Sequence, residues 1–116
     1  MRWYTDGAGW NGRISRYAIA NDDKEFPIKV FYSQFTNNEM EYKALIDALE
    51  RASEGDAVVA DSLLVVNQVN GEWKVKKKHL VPYHAKAQGL ARRKGITLSW
   101  IDRSKNKAGR MLESTI

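Results

Sequence analysis

Hydrophobic and polar positions alternate through the first third of the chain. Segments 2–6, 13–21 and 25–35 carry this period of two, and turn-forming residues separate them at Asp6-Gly7, Asn11-Gly12 and Asn21-Asp22-Asp23. They predict a three-stranded antiparallel meander. The period then lengthens: Met40, Ala44, Leu45, Ala48, Leu49 and Ala52 recur at helical spacing behind Thr36 and Glu39, which stand as in a capping box. A helix over about 37–53, ending near Gly55, is predicted. Residues 57–60 are continuously apolar and stop at Asp61, as expected of a strand buried on both faces. Helical spacing returns over 62–70, and again from Pro82 to Gly95, with proline at the start and glycine at the end. Ile96, Leu98 and Trp100 alternate as a fifth strand, and Ala108, Met111 and Leu112 mark a last helix from about Ser104.

The resulting order, β-β-β-α-β-α-α-β-α, predicts an α/β fold: a five-stranded mixed sheet, part antiparallel meander and part parallel strands reached through helices, with helices flanking it. At 116 residues and 43% hydrophobic content, the chain can bury one core, and a single domain over 1–116 is expected. Cysteine is absent, which excludes a disulfide framework and a thiolate zinc site. No apolar run has the length of a signal peptide or a membrane span, so a cytoplasmic protein with no membrane partner is expected, monomeric by default. A formal charge of +5 favours a polyanionic partner if the excess gathers on one face; spread evenly, it is a solvated surface.

Three acids change that picture. Asp6 ends the first predicted strand, Glu41 shares the inward stripe of the first helix with Leu45 and Ala48, and Asp61 closes the dry strand, at the end where open α/β sheets place ligands. If the first and fourth strands are neighbours, these carboxylates converge. Convergence without a cation is unfavourable, whereas Mg²⁺ takes a few carboxylate oxygens and keeps room for water and phosphate. Taken singly, each acid has a plainer reading: Asp6 as a turn residue, Asp61 as a helix N-cap, Glu41 as a tolerated edge residue.

The words around the acids are more specific than their spacing. Tyr4-Thr5-Asp6-Gly7, then Thr36-Asn37-Asn38-Glu39-Met40-Glu41, then Ala60-Asp61-Ser62 running through Asn67 and Gly71-Glu72-Trp73-Lys74-Val75-Lys76, and finally Trp100-Ile101-Asp102-Arg103 with Asn106, closely resemble the consecutive signatures of type 1 ribonuclease H. The resemblance covers nearly the whole chain. It implies the ribonuclease H-like fold and a metal-dependent endonuclease cutting the RNA strand of an RNA/DNA hybrid, to leave 5′-phosphate and 3′-hydroxyl ends. It implies that Asp6, Glu41 and Asp61 hold two Mg²⁺ or Mn²⁺ ions, and that Asn11, Asn37 and Asn38 lie along the hybrid's minor groove, where 2′-hydroxyls distinguish RNA from DNA. It also implies that Trp73, Lys74 and Lys76 belong to a basic handle gripping the DNA strand; the plainer reading of that segment is a solvated lysine-rich connection with Trp73 in the core.

The chain departs from the family pattern at three places, one being the loop from Gly7 to Gly12, which is shorter than usual and lacks the family's proline. Where the family carries a fourth acid, four residues after the asparagine matched by Asn106, this sequence has Arg110. Glu113 could replace it or pair with Arg110, Arg110 could meet the phosphate backbone, or the helix could be shifted. The loop before the last helix is short and lacks the family's histidine; His79 and His84 lie elsewhere and read as ordinary surface or half-buried residues. The rival expectation is therefore a non-catalytic hybrid-binding module on the same fold, disabled by Arg110.

Overall fold

The computed structural model describes residues 1–114. Its elements run β1 (Arg2–Ala8), β2 (Ser15–Asn21), β3 (Lys29–Phe31), α1 (Asn37–Arg51), β4 (Ala57–Ala60), α2 (Leu63–Val69), α3 (Val81–Lys94), β5 (Thr97–Trp100) and α4 (Lys107–Glu113), with short 3₁₀ turns before α3 and α4. This is the predicted order. The strands form one sheet in the order β3-β2-β1-β4-β5. β1 pairs antiparallel with β2, and β2 with β3, while β4 runs parallel to both β1 and β5.

Local chemistry sets the helix boundaries. Thr36 accepts from the Glu39 amide at 3.1 Å and Glu39 Oε1 accepts from the Thr36 amide at 2.9 Å, completing the capping box. The carboxyl end of α1 is closed from a distance: Lys94, at the end of α3, donates to the carbonyls of Leu49, Glu50 and Ala52 at 2.7, 2.9 and 3.0 Å. Its charge thus serves the dipole of α1 as well as that of its own helix. α1 carries the centre of the core, with Met40, Tyr42, Ala44, Leu45, Ala48 and Leu49 fully buried against the sheet and α3. α4 covers the opposite face of β1 and β2 through Ala108, Met111 and Leu112, which pack on Ala18 and Ala20.

Three expectations need correction. Asp6-Gly7 is no turn: β1 continues to Ala8, and Asp6 and Gly7 pair with Ala18 and Tyr17 of β2. The glycine serves close approach, because a Cβ there would stand 2.3 Å from the Met40 carbonyl carbon of α1. The third strand shrinks from 25–35 to Lys29–Phe31, preceded by an isolated bridge between Ala20 and Glu25; Pro27 interrupts the run with no amide to donate. The last helix begins at Lys107 rather than near Ser104, because Asn106 caps it and residues Arg103–Lys105 form a separate 3₁₀ turn under Asp102.

Candidate metal centre and nucleic-acid face

The parallel pairing of β1 with β4 puts their carboxyl ends side by side, with Thr5 opposite Ala60. Asp6 therefore emerges next to Asp61. Gly7 lets the first turns of α1 lie on β1, and its amide donates to Glu41 Oε1 at 2.6 Å, which brings the third carboxylate in. Ligand oxygens of Asp6, Glu41 and Asp61 lie within 4.8 Å of one another. Asp61 is not the N-cap of α2; Ser62 fills that role, accepting from the Val65 amide at 3.2 Å.

The negative charge of the cluster is only partly offset, by an Arg103 guanidinium that approaches no closer than 3.7 Å. Asp6 is 1% exposed, and neither of its carboxylate oxygens has a hydrogen-bond partner. Burial and the neighbouring charge of Asp61 push its carboxyl up to about 6, with Arg103 pulling the other way. Burial, then Asp6 and Asp61, raise Glu41 well above the usual carboxylate range, against the hydrogen bond from Gly7. A divalent cation supplies the further positive charge and the demand for anionic oxygen that such a pocket calls for, so the residues present fit a hard metal ion.

Asn106, known from the sequence only as a matching asparagine, holds this end of the molecule together. It is fully buried; its amide donates to the Thr5 carbonyl at 3.0 Å and to Asp61 Oδ2 at 3.1 Å, while its Oδ1 accepts from the Ala108 amide at 3.1 Å. One side chain thus ties β1, the Asp61 carboxylate and the start of α4. The Trp100 indole adds a hydrogen bond to the Asp61 carbonyl at 3.2 Å. Arg103, which sequence reasoning passed over, points into the cluster: its Nη1 lies 3.7 Å from Asp61 Oδ2 and its Nη2 4.0 Å from Asp6 Oδ2. It stands within the signature Trp100-Ile101-Asp102-Arg103, but neither that word nor periodicity gives its side chain a direction.

Arg110 is exposed on α4, and Glu113 pairs with Arg103 at 3.7 Å. Glu113 therefore neither joins the three acids nor bonds to Arg110, so both roles considered for it are corrected. The α4 position facing the acids is Gly109, where a Cβ would stand 3.4 Å from Asp6 Oδ2 and 3.7 Å from Asp61 Oδ2.

The remaining expected residues line the surface around α1. Asn37 is exposed at its first position and accepts from the Gly9 amide at 2.6 Å through Oδ1, leaving its amide nitrogen to donate elsewhere. Asn38 lines a cleft of about 510 Å³ together with Trp73, Lys74, Lys76 and Lys77. Trp73 is 47% exposed, so it does not serve the core. Asn11 is exposed and turned onto its own loop, its Oδ1 accepting from the Arg13 and Ile14 amides at 2.9 Å each. His79 is exposed, and His84 is bonded at 2.9 Å to the Gln68 carbonyl; both keep the ordinary roles expected of them.

Mixed sheet, helical faces and acidic cluster together define a ribonuclease H-like protein. The sequence model of the RNase H family matches residues 1–109, and the chain belongs to that family. Its fold is similar to the N-terminal RNase H domain of Rv2228c from Mycobacterium tuberculosis, at a TM-score of 0.77 and 30% identity, covering 94% of this chain and 87% of that one. It is similar also to LC11-RNase H1 solved in complex with an RNA/DNA hybrid, at 0.75 and 28%, covering 96% and 91%. Among curated sequences, the bifunctional protein Rv2228c of M. tuberculosis is 41% identical over 76 residues, 61% of this chain. The chain spans about a fifth (21%) of the length of the curated relatives it matches.

Proposed function

We propose that this chain is an endoribonuclease that hydrolyses the RNA strand of RNA/DNA hybrids, with Asp6, Glu41 and Asp61 as its metal-binding catalytic carboxylates. The observation that carries the reading is a buried Asp6 with no hydrogen-bond partner, converging with two further acids at the carboxyl ends of two parallel strands. Family membership and the hybrid held by LC11-RNase H1 support the substrate class.

In this reading, the three carboxylates bind Mg²⁺ or Mn²⁺, two ions in the full arrangement, and Asn106 keeps Asp61 oriented toward Asp6. When bound, the ions would activate a water and stabilise the charge developing on the phosphodiester and its leaving oxygen, giving 5′-phosphate and 3′-hydroxyl ends. The protein supplies placement. Asn37 and Asn38, one turn before Glu41, and Asn11 face the minor groove, where an amide can read a 2′-hydroxyl. Trp73, Lys74 and Lys76 take the DNA strand, the lysines on phosphates and the exposed indole against a deoxyribose.

The test is a labelled RNA/DNA hybrid beside single-stranded RNA and duplex RNA, each with Mg²⁺, Mn²⁺ or chelator. Metal-dependent cleavage confined to the hybrid is the expected result; cleavage of all three substrates, or cleavage in chelator, overturns the reading. The absence of an acid at Arg110 favours one alternative, a module that binds hybrids without cutting them. Binding of the hybrid in Mg²⁺ with no product decides for it.

A further inference from the structure

Each nitrogen of the Arg103 guanidinium faces a different carboxylate: Nη2 is 4.0 Å from Asp6, Nη1 3.7 Å from Asp61 and Nε 3.7 Å from Glu113. None of these contacts reaches hydrogen-bond distance, so the cation sits among three anions without being locked to any. Its side chain is 61% exposed, whereas those of Asp6 and Asp61 are 2% and 8% exposed. The acids are fixed and the arginine has room to move. Its base is firm: Asp102 caps the Arg103–Lys105 turn through the Ser104 amide at 3.0 Å, and the Asn106 amide closes it on the Arg103 carbonyl at 3.1 Å.

From α4 itself Asp61 receives only the neutral amide of the capping Asn106, at 3.1 Å. The position facing Asp6 and Asp61 is Gly109, and Arg110 is turned to solvent. An arginine remains charged throughout the pH range in which the protein is folded, so its competition with another cation does not depend on its own deprotonation.

We infer that Arg103 is an internal counter-cation for the acidic cluster, sharing Asp6 and Asp61 with the divalent ions, and that Glu113 is the carboxylate onto which it withdraws when an ion enters. The inference rests on the ion-binding role proposed above for Asp6, Glu41 and Asp61. It assigns Arg103 and Glu113 a positioning role that sets ion affinity, separate from any contact with substrate. Removing Arg103 leaves the metal-free cluster less balanced and the ion less opposed, so stability without metal and affinity for metal move in opposite directions. Removing Glu113 deprives the guanidinium of its other anion and commits it to the cluster.

The experiment is thermal melting of the free protein, without nucleic acid, across a Mn²⁺ titration and in chelator. Wild type is compared with Arg103→Ala, Arg103→Gln, Glu113→Gln, the Arg103→Ala/Glu113→Gln pair and Asp6→Asn. In chelator, Arg103→Ala and Arg103→Gln are expected to melt below wild type. Their half-stabilising Mn²⁺ concentration is expected to fall about 5-fold or more, the scale of coupling between two sites. Glu113→Gln should raise that concentration, and this effect should vanish when Arg103 is already alanine. An unchanged or higher Mn²⁺ requirement in both Arg103 variants overturns the inference, as does a Glu113→Gln effect of full size in the double variant. Stabilisation by Mn²⁺ that survives undiminished in Asp6→Asn would instead remove the ion-binding role of the cluster itself.

Discussion

The β1/β4 pair carries a buried acid at each end, and the two are treated in opposite ways. At the amino end, Asp56 precedes β4 and is 9% exposed; it accepts from the Trp3 indole at 3.0 Å and the Ser53 amide at 2.9 Å. Those two hydrogen bonds hold its carboxyl below the usual range against the effect of burial, helped by the N-terminal ammonium of Met1 at 3.2 Å. At the carboxyl end, Asp6 is 1% exposed, has no hydrogen-bond partner and is pushed up to about 6. Burial alone therefore does not mark a functional acid. A structural carboxylate is surrounded by donors that prefer it charged, while a carboxylate reserved for a cation is left unsatisfied beside others of its own sign.

Four experiments break or sharpen that contrast. The largest effect is expected on catalysis. Asp6→Asn or Asp61→Asn should lower Mg²⁺-dependent hybrid cleavage by about 10³-fold or more, since ion-borne stabilisation of a transition state amounts to several kcal/mol. The circular dichroism of both variants should stay that of wild type, and full activity in either would refute the assignment. Next is Gly7→Ala, which drives a methyl group to 2.3 Å from the α1 backbone. It should cost about 3 kcal/mol in urea unfolding and weaken cleavage, because α1 carries Glu41 away as it yields.

Asp56→Ala should cost about 2 kcal/mol, the penalty of leaving the buried Trp3 indole and the Ser53 amide without their acceptor. Cleavage per folded molecule should hold, since the other end of the strand pair is untouched; a parallel loss of both would erase the distinction. The smallest effect is a pH dependence. Asp6 is raised in the folded state, so the folded protein binds more protons, and its contribution to stability is present at low pH and lost as pH rises through about 6. The metal-free protein should thus gain about 1 kcal/mol between pH 7 and 5. Asp56 is lowered, so its contribution is present above its unfolded value of 3.8 and lost as pH falls through its folded one. Saturating Mg²⁺ should flatten the upper limb, Asp6→Asn should lessen it while Glu41, raised chiefly by burial, keeps the rest, and both should leave the acid limb in place, as followed by chemical denaturation.

Much of this molecule can be read along the chain because its determinants are local. The capping box at Thr36 and Glu39, the dry run before Asp61 and the stop at Gly95 act within a few residues, and each appears where predicted. The three acids were found through the sequence words around them and through helical periodicity, which put Glu41 on the inward face of its helix. The third strand and the start of the last helix were misread against local signals, Pro27 and the caps Asp102 and Asn106, whereas at Asp6-Gly7 distant neighbours override the local signal. Asp6-Gly7 has the composition of a turn, yet β2 on one side and α1 on the other hold it extended.

Periodicity and local turn and cap signals thus determined the order of the elements, since each depends on near neighbours in the chain, while the three carboxylates were singled out by the resemblance of the words around them. Tertiary structure alone decided that Asn106 grips Asp61 across 45 positions, that Arg103 rather than a fourth acid faces the cluster, and that Glu113 partners Arg103. The reason is physical: hydrogen bonds and charge pairs depend on separation in space, and only the closing of β1 against β4 and of α4 onto the sheet brings these groups within reach of one another.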